Sequence, residues 1–287
     1  MASSDGSAVA RKEELEGDNV AVENPPEHTL TGDFRRHPKF RSRFLPSEHT
    51  LLVYRPPGYR DDRVRRFPVL YLHDGQNVFD RATSATGQEW SVDETAQRLI
   101  ESGVIEPLLI VGVYNAGNRR IDEYTPTRDP KKGMGGKGDA YARMLIQEIK
   151  PFIDRRYRTL RSAANTGLGG SSLGGLLTMH LGLRFPTVFN RIAVLSPSVW
   201  WDNRAIVRQV DALPAKLPLR IWLDSGTSEG EEVTRDARLL RDALVRKGWV
   251  EGQDLAYLEA EGGGHNEQSW ATRVEGVLRF LFPAKGK

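Results

Sequence analysis

Gly170-Ser171-Ser172-Leu173-Gly174 has the spacing G-x-S-x-G, which raises a serine on a sharp turn between a strand and a helix and exposes its hydroxyl for nucleophilic attack. Small flanking residues are needed because the turn backbone is strained and crowded, so a side chain at either glycine would meet neighbouring chain. The flanks come in the required order. Residues 164–169 (Ala-Asn-Thr-Gly-Leu-Gly) read as a short buried strand, and Leu173 to Phe185 as a helix stopped by Pro186. Ser172 is thus nominated as a nucleophile, against the competing reading of a glycine-rich turn that serves packing alone.

A serine hydroxyl is a poor nucleophile at neutral pH and needs a base, usually a histidine held by a carboxylate. Six histidines compete for that role. His28, His37 and His49 precede the central part of the sheet, and His73 opens the loop after an early strand. His180 lies eight residues along the helix that starts at the serine, about 12 Å of rise away, and reads as a packed or solvated helix residue. His265, in Glu261-Gly262-Gly263-Gly264-His265-Asn266, follows the last predicted strand on a turn able to deliver an imidazole. It also completes the chain order serine, acid, histidine. For the acid, the loop after Arg220 to Leu223 offers Asp224, Glu229, Glu231 and Glu232. Glu229 is preferred because it lies past Gly226-Thr227 in a loop that can bend toward His265. Asp224, which prolongs the strand, is the alternative. A developing oxyanion needs N–H donors, commonly the one after the nucleophile and one from the loop after an early strand. Leu173 supplies the first; His73-Asp74-Gly75-Gln76-Asn77 supplies the second, from Gln76 or alternatively Gly75.

The elements that must position these residues are α/β in order. Two extended stretches between Gly32 and Tyr59, the second ending at Pro56-Pro57-Gly58, read as antiparallel edge strands. Residues 67–72 and 108–113 are nearly continuous apolar runs, the pattern of strands covered on both faces, with a helix from about Val92 to Ser102 between them. A long helical pattern spans Asp139 to Tyr157. Strands are expected at 191–195, 220–223 and 255–258, and helices at 231–248 and 267–281. Such alternation implies a mainly parallel sheet with helices on both faces and a site at the strands' carboxyl ends.

The 287 residues suit one catalytic domain over 28–287, preceded by a tail over 1–27. That tail holds seven acidic and two basic residues, a net of −5, which leaves +8 on the remainder of a chain whose total is +3. With few large apolar residues it is expected to be flexible. The basic residues of the body are scattered, without a nucleic-acid motif, and read as solvated surface. There is no cysteine, which excludes disulfides, thiolate metal sites and a cysteine nucleophile. No apolar run approaches a membrane span and no secretory leader is present, so the chain as written reads as cytoplasmic, with export open if a leader was removed. Gly133-Met134-Gly135-Gly136-Lys137-Gly138 fits G-x-G-x-x-G but does not follow a strand, and lacks the Ser or Thr of a phosphate loop; it reads as a mobile loop. No clustered ligand set suggests a catalytic metal, and no cofactor is expected.

Residues 71–80 (Tyr-Leu-His-Asp-Gly-Gln-Asn-Val-Phe-Asp), the Gly-Gly-Ser-Ser-Leu-Gly-Gly elbow, Ser196-Pro197-Ser198-Val199-Trp200-Trp201, Gly226-Thr227-Ser228-Glu229 and Gly264-His265 together resemble the putative esterase family of α/β-hydrolases. That family includes enterochelin esterases, esterase D, feruloyl and acetyl-xylan esterases and mycolyltransferases. The resemblance covers roughly residues 30 to 283. It implies the α/β-hydrolase fold, Ser172 as nucleophile, His265 as base, Glu229 as its orienter, and oxyanion donors at Gln76 and Leu173. The short connection between the strands ending near Leu195 and beginning near Leu219 leaves no room for a large lid domain. Trp200, Trp201, Asn115 and Tyr124, with Arg119 and Arg120, are candidate substrate contacts. The expected activity is a serine carboxylic-ester hydrolase acting on a small-molecule or polysaccharide-linked ester, such as a feruloyl or acetyl ester. The alternatives are a siderophore trilactone esterase, an acyltransferase to a sugar alcohol, and a non-catalytic binding module.

Overall fold

Apolar runs become the interior of an eight-stranded sheet in the computed structural model of the protein, which describes residues 27–284. In chain order the strands are β1 (Asp33–Arg41), β2 (Glu48–Arg55), β3 (Val69–His73), β4 (Leu109–Val113), β5 (Arg128–Asp129), β6 (Met134–Gly135), β7 (Thr166–Ser171), β8 (Arg191–Leu195), β9 (Arg220–Gly226) and β10 (Leu255–Ala260). The sheet runs β1-β2-β4-β3-β7-β8-β9-β10, with β5 and β6 forming a separate small ladder. From β4 to β10 every neighbouring pair is parallel, whereas β2 joins β4 and β1 joins β2 antiparallel. Parallel pairing brings the carboxyl ends of β3, β7, β8 and β9 to one edge, where loops can converge on a crevice.

The helices are α1 (Val92–Glu101), α2 (Arg120–Tyr124), α3 (Gly138–Met144), α4 (Lys150–Arg156), α5 (Leu173–Arg184), α6 (Trp201–Asp211), α7 (Glu231–Lys247), α8 (Glu267–Ala271) and α9 (Val274–Leu281). A π-helical turn over 145–149 links α3 to α4, giving the long helix expected from the sequence. Strand side chains alternate between two cores. Val69, Tyr71, Val111, Leu168 and Val194 pack with Tyr141, Ile149, Leu177 and Leu240 on one face. Leu70, Leu72, Ile110, Ala193 and Trp222 pack with Leu99, Leu278 and Leu281 on the other. This is why those strands read as unbroken apolar runs.

The fold is the expected α/β one. Between β8 and β9 stands the short helix α6, with no lid domain. Two expectations are corrected. The pattern over 267–281 is two helices, α8 and α9, and the glycine run at 133–138 is held in place. There β5 and β6 form a hairpin, Asp122 accepts from the Gly135 N–H at 2.9 Å, and Thr125 Oγ1 accepts from the Gly136 N–H at 3.0 Å. Gly135 has φ +92°, and a Cβ there would lie 2.6 Å from the Trp201 ring. Its lack of a side chain lets the hairpin close on Trp201. The acidic-tail expectation falls on residues outside the described ones, apart from Glu27. Among the described residues, no helix is long and apolar enough to cross a membrane.

Candidate active site

Ser172 sits between β7 and α5 with φ 58° and ψ −122°, a backbone that side-chain-bearing residues rarely adopt. Such strain costs on the order of 1–3 kcal/mol and persists only where surrounding structure enforces it. Here the Ser172 N–H donates to Leu195 O at 3.0 Å, and Ser172 O accepts from the N–H groups of Ser198 and Leu176, both at 3.0 Å. The glycines explain themselves: a Cβ at Gly175 would lie 2.8 Å from Leu195 O, so α5 could not start against β8.

Across the crevice, Glu229 has an inaccessible side chain and His265 a partly exposed one. His265 Nδ1 and Glu229 Oε2 are 2.8 Å apart. The other oxygen, Oε1, accepts from Ser196 Oγ at 2.5 Å, the Gly226 N–H at 2.7 Å and Arg273 Nη2 at 3.2 Å. Burial alone would raise the Glu229 carboxyl, but the hydrogen bonds from His265, Ser196 and Gly226 outweigh it and hold the group below its ordinary value. An ionised Glu229 can only accept, so Nδ1 carries the proton and Nε2 is left as the basic nitrogen. The Trp270 ring meets the imidazole edge-on, with centroids 5.0 Å apart.

The structure brings Glu229 to His265 but leaves Ser172 unbonded to either. Among the described residues, the hydrogen-bond partner of Ser172 Oγ is Ser198 Oγ at 3.4 Å. Contacts of this kind are often long in a ligand-free site and tighten when substrate binds.

Asp224, the alternative acid, is engaged elsewhere. Its Oδ1 accepts from Arg273 Nη1 at 2.8 Å and from the Ser196 N–H at 3.1 Å, and its Oδ2 from the Trp222 indole at 2.7 Å. Burial pushes its carboxyl above the ordinary value, against the pull of Arg273 and the Trp222 indole. Its place inside β9, two residues before the strand's end, turns it into the core, which is why it does not meet His265.

The loop after β3 forms a single 3₁₀ turn over Gly75–Asn77, entered by Asp74 at φ 54°. A Cβ at Gly174 would stand 3.3 Å from Asp74 Oδ2, so this loop and the first turn of α5 touch. Among the described residues, no hydrogen bond leaves the N–H of Gln76 or of Leu173. One of these N–H groups lies in the turn after β3 and the other on the first residue of α5, directly after Ser172.

Four of the candidate substrate contacts are engaged within the protein. Asn115 Nδ2 donates to Asp74 Oδ1 at 2.6 Å, and the fully buried Tyr124 takes the Asp74 N–H on its hydroxyl at 3.0 Å. Arg120 adds a two-pronged ion pair to Asp74, at 2.7 and 2.8 Å. These residues brace the loop after β3 through Asp74. Trp201 is 2% exposed and donates to Thr127 O at 2.9 Å, so it belongs to the core. Trp200 is 45% exposed, with Lys132 Nζ 5.3 Å from its ring centroid. His73 is buried, which lowers it to about 4 and keeps it neutral, and His180 is bonded to Gln209 and Asp139. Arg273 went unnoticed in the sequence, where an arginine in a helix turn looks like solvated surface, and Ser196 entered only as part of a family motif, without a role. Among the described residues, the acidic group close enough to share a cation is Glu89, Asp93 and Glu94, which includes no residue of this site.

The model of the family described as "Putative esterase" matches residues 42–281. The ferri-bacillibactin esterase BesA of Bacillus subtilis is 28% identical over 221 residues, 69% of this chain and 73% of that protein. An endo-1,4-β-xylanase/feruloyl esterase of Xylanibacter ruminicola is 26% identical over 239 residues, 81% of this chain and 29% of that longer protein. The crystal structure of the BES protein from Bacillus cereus superposes with a TM-score of 0.70 at 21% identity, covering 96% of this chain and 99% of that one.

Proposed function

The chain belongs to the putative esterase family and is a carboxylic ester hydrolase, and from that premise we propose that Ser172, His265 and Glu229 carry out the reaction through an acyl-enzyme. The observation that carries this reading is the 2.8 Å contact between His265 Nδ1 and the buried, ionised Glu229, opposite a serine on a strained elbow. His265 Nε2 takes the Ser172 proton as Oγ attacks the ester carbonyl carbon. The resulting oxyanion is received by the N–H groups of Gln76 and Leu173. Collapse expels the alcohol, which leaves with the proton from His265. A water, deprotonated by the same nitrogen, then attacks the acyl-enzyme; the second collapse releases the acid and restores Ser172. Glu229 fixes the imidazole's tautomer and stabilises the imidazolium formed in each half-reaction.

For the substrate, the reading is an open-site ester bearing an aromatic acyl group, a feruloyl-type ester of a carbohydrate, with Trp200 as the stacking surface. A siderophore trilactone is the second reading. It is supported by the siderophore-esterase relative and by Lys132 beside Trp200, a cation placed to meet an anionic catecholate. Hydrolysis of para-nitrophenyl acetate, butyrate and octanoate, of methyl ferulate, and of a catecholate trilactone tests both. Preference for ferulate, with KM raised up to about tenfold in Trp200→Ala and kcat unchanged, supports the first reading. Preference for the trilactone supports the second. Full activity in Ser172→Ala would remove the mechanism altogether.

A further inference from the structure

Arg273 caps the start of α9, eight residues beyond His265, and its side chain is 1% exposed. Its guanidinium spans two carboxylates: Nη1 donates to Asp224 Oδ1 at 2.8 Å and to Ser196 Oγ at 2.9 Å, and Nη2 to Glu229 Oε1 at 3.2 Å. Room for it is made by two glycines, since a Cβ at Gly226 or at Gly263 would stand 2.7 Å from Nη2. Ser196 closes the circuit by donating to the same Oε1 that Arg273 reaches.

We propose that Arg273 is a positioning residue for ester hydrolysis, pinning Glu229 Oε1 so that Oε2 is aimed at His265, with Asp224 as the fixed counter-charge that orients the guanidinium. The proposal rests on the reading of Ser172, His265 and Glu229 as the reacting set. A glutamate has three side-chain torsions, and one hydrogen bond to histidine does not fix them. Donors from Ser196, Gly226 and Arg273, arriving at one oxygen from three elements, do. A planar fork reaches both acids at once, which a lysine's point charge on a flexible stem cannot reproduce. The segment from His265 through α8 to Arg273 thereby ties base and acid into one unit. Arg273 is also a buried cation 3.2 Å from the carboxylate that holds His265, so replacing it withdraws a positive charge from beside the reacting pair.

The test compares wild type with Ser172→Ala, Arg273→Met, Arg273→Lys and the double variant Asp224→Asn/Arg273→Met, which leaves no uncompensated charge on Asp224 and guards against misfolding. Each is titrated for active serines with a phosphonate, and kcat and KM for para-nitrophenyl acetate are measured from pH 5 to 9. The proposal predicts a 10- to 100-fold loss of kcat per active site in Arg273→Met and in the double variant. KM should stay within about twofold, and the acidic limb of the kcat profile should move to higher pH. Arg273→Lys should keep the limb near its wild-type position while losing several-fold in kcat. A purely structural role would lower the melting temperature and the active fraction but leave kcat per active site and the limb in place. That result in the double variant overturns the proposal. Retained turnover in Ser172→Ala would instead overturn the mechanism on which it rests.

Discussion

Glu229 and Asp224, at the carboxyl end of β9, face a buried guanidinium; Glu89, Asp93 and Glu94, around the start of α1, face one another. Among the described residues, the first two share Arg273 in ion pairs at 3.2 and 2.8 Å, while none of the other three forms an ion pair. Asp93 receives the Thr31 N–H at 2.6 Å, and Glu89 the hydroxyl of Thr29. The consequences diverge. Burial, with Glu94 alongside, drives Asp93 up to about 9, and burial also raises Glu89. Glu229 is just as hidden, yet hydrogen bonds from His265, Ser196 and the Gly226 N–H hold it below its ordinary value. Burial thus raises Asp93, Glu89 and also Asp224, and at Glu229 the hydrogen bonds outweigh it. A reacting set needs the ionised kind, and a helix start tolerates the neutral kind.

The sharpest way to break this contrast is to remove each acid in turn. Glu229→Ala should lower kcat for para-nitrophenyl acetate by about 10³- to 10⁴-fold, the scale seen when the acid of such a triad is removed. Asp93→Asn should leave kcat within about twofold. Equal losses would mean that the two groups do not differ in role.

Next in size is Asp224→Ala, which leaves Arg273 with only the longer of its two ion pairs. Breaking a buried pair from one side costs about 3–5 kcal/mol, and thermal unfolding should show it as a drop of several degrees. A loss under about 1 kcal/mol would sink the claim that Asp224 is the counter-charge.

The smallest effects are in how stability depends on pH, and their signs are opposite. Glu229 is depressed in the folded protein, so its contribution is present above its unfolded value and is lost as pH falls through the folded one. The stability gap between wild type and Glu229→Gln should close on acidification below about pH 4. Asp93 is raised, so its contribution is full below its unfolded value of 3.8 and is lost as pH rises toward about 9. Asp93→Asn should therefore gain on wild type progressively from pH 5 to 9. Melting temperatures across about pH 2 to 9 read both, and parallel curves would refute the difference.

Ser172, His265 and Glu229 could be nominated from the sequence because the proposed chemistry constrains residue type and spacing. The elbow demands glycines around Ser172, and a base delivered after the last strand demands a flexible turn before His265. The choice between Asp224 and Glu229 was not legible in the same way. Asp224 lies near the end of β9 and Glu229 just past it, and the direction each side chain takes depends on where Arg273 sits 44 residues after Glu229. Tyr124 and Trp201 were misplaced for a related reason. An aromatic residue after a strand has the same composition whether it walls a cleft or fills a core, and the hydrogen bonds from the Asp74 N–H and to Thr127 O make these two structural. Helix α6 escaped notice because Asp202, Asn203 and Arg204, at its start, have φ of 46°, 51° and 59°, so no regular right-handed period begins there. The sheet, by contrast, was read nearly in full, since strands covered on both faces must be continuously apolar.

The most direct measurement is covalent labelling of the full chain with a fluorophosphonate, followed by intact-mass analysis and peptide mapping. The account predicts one adduct per chain on Ser172, none in Ser172→Ala, and labelling slowed at least about 100-fold in His265→Ala. An adduct on any other residue, or labelling that persists in Ser172→Ala, would contradict it.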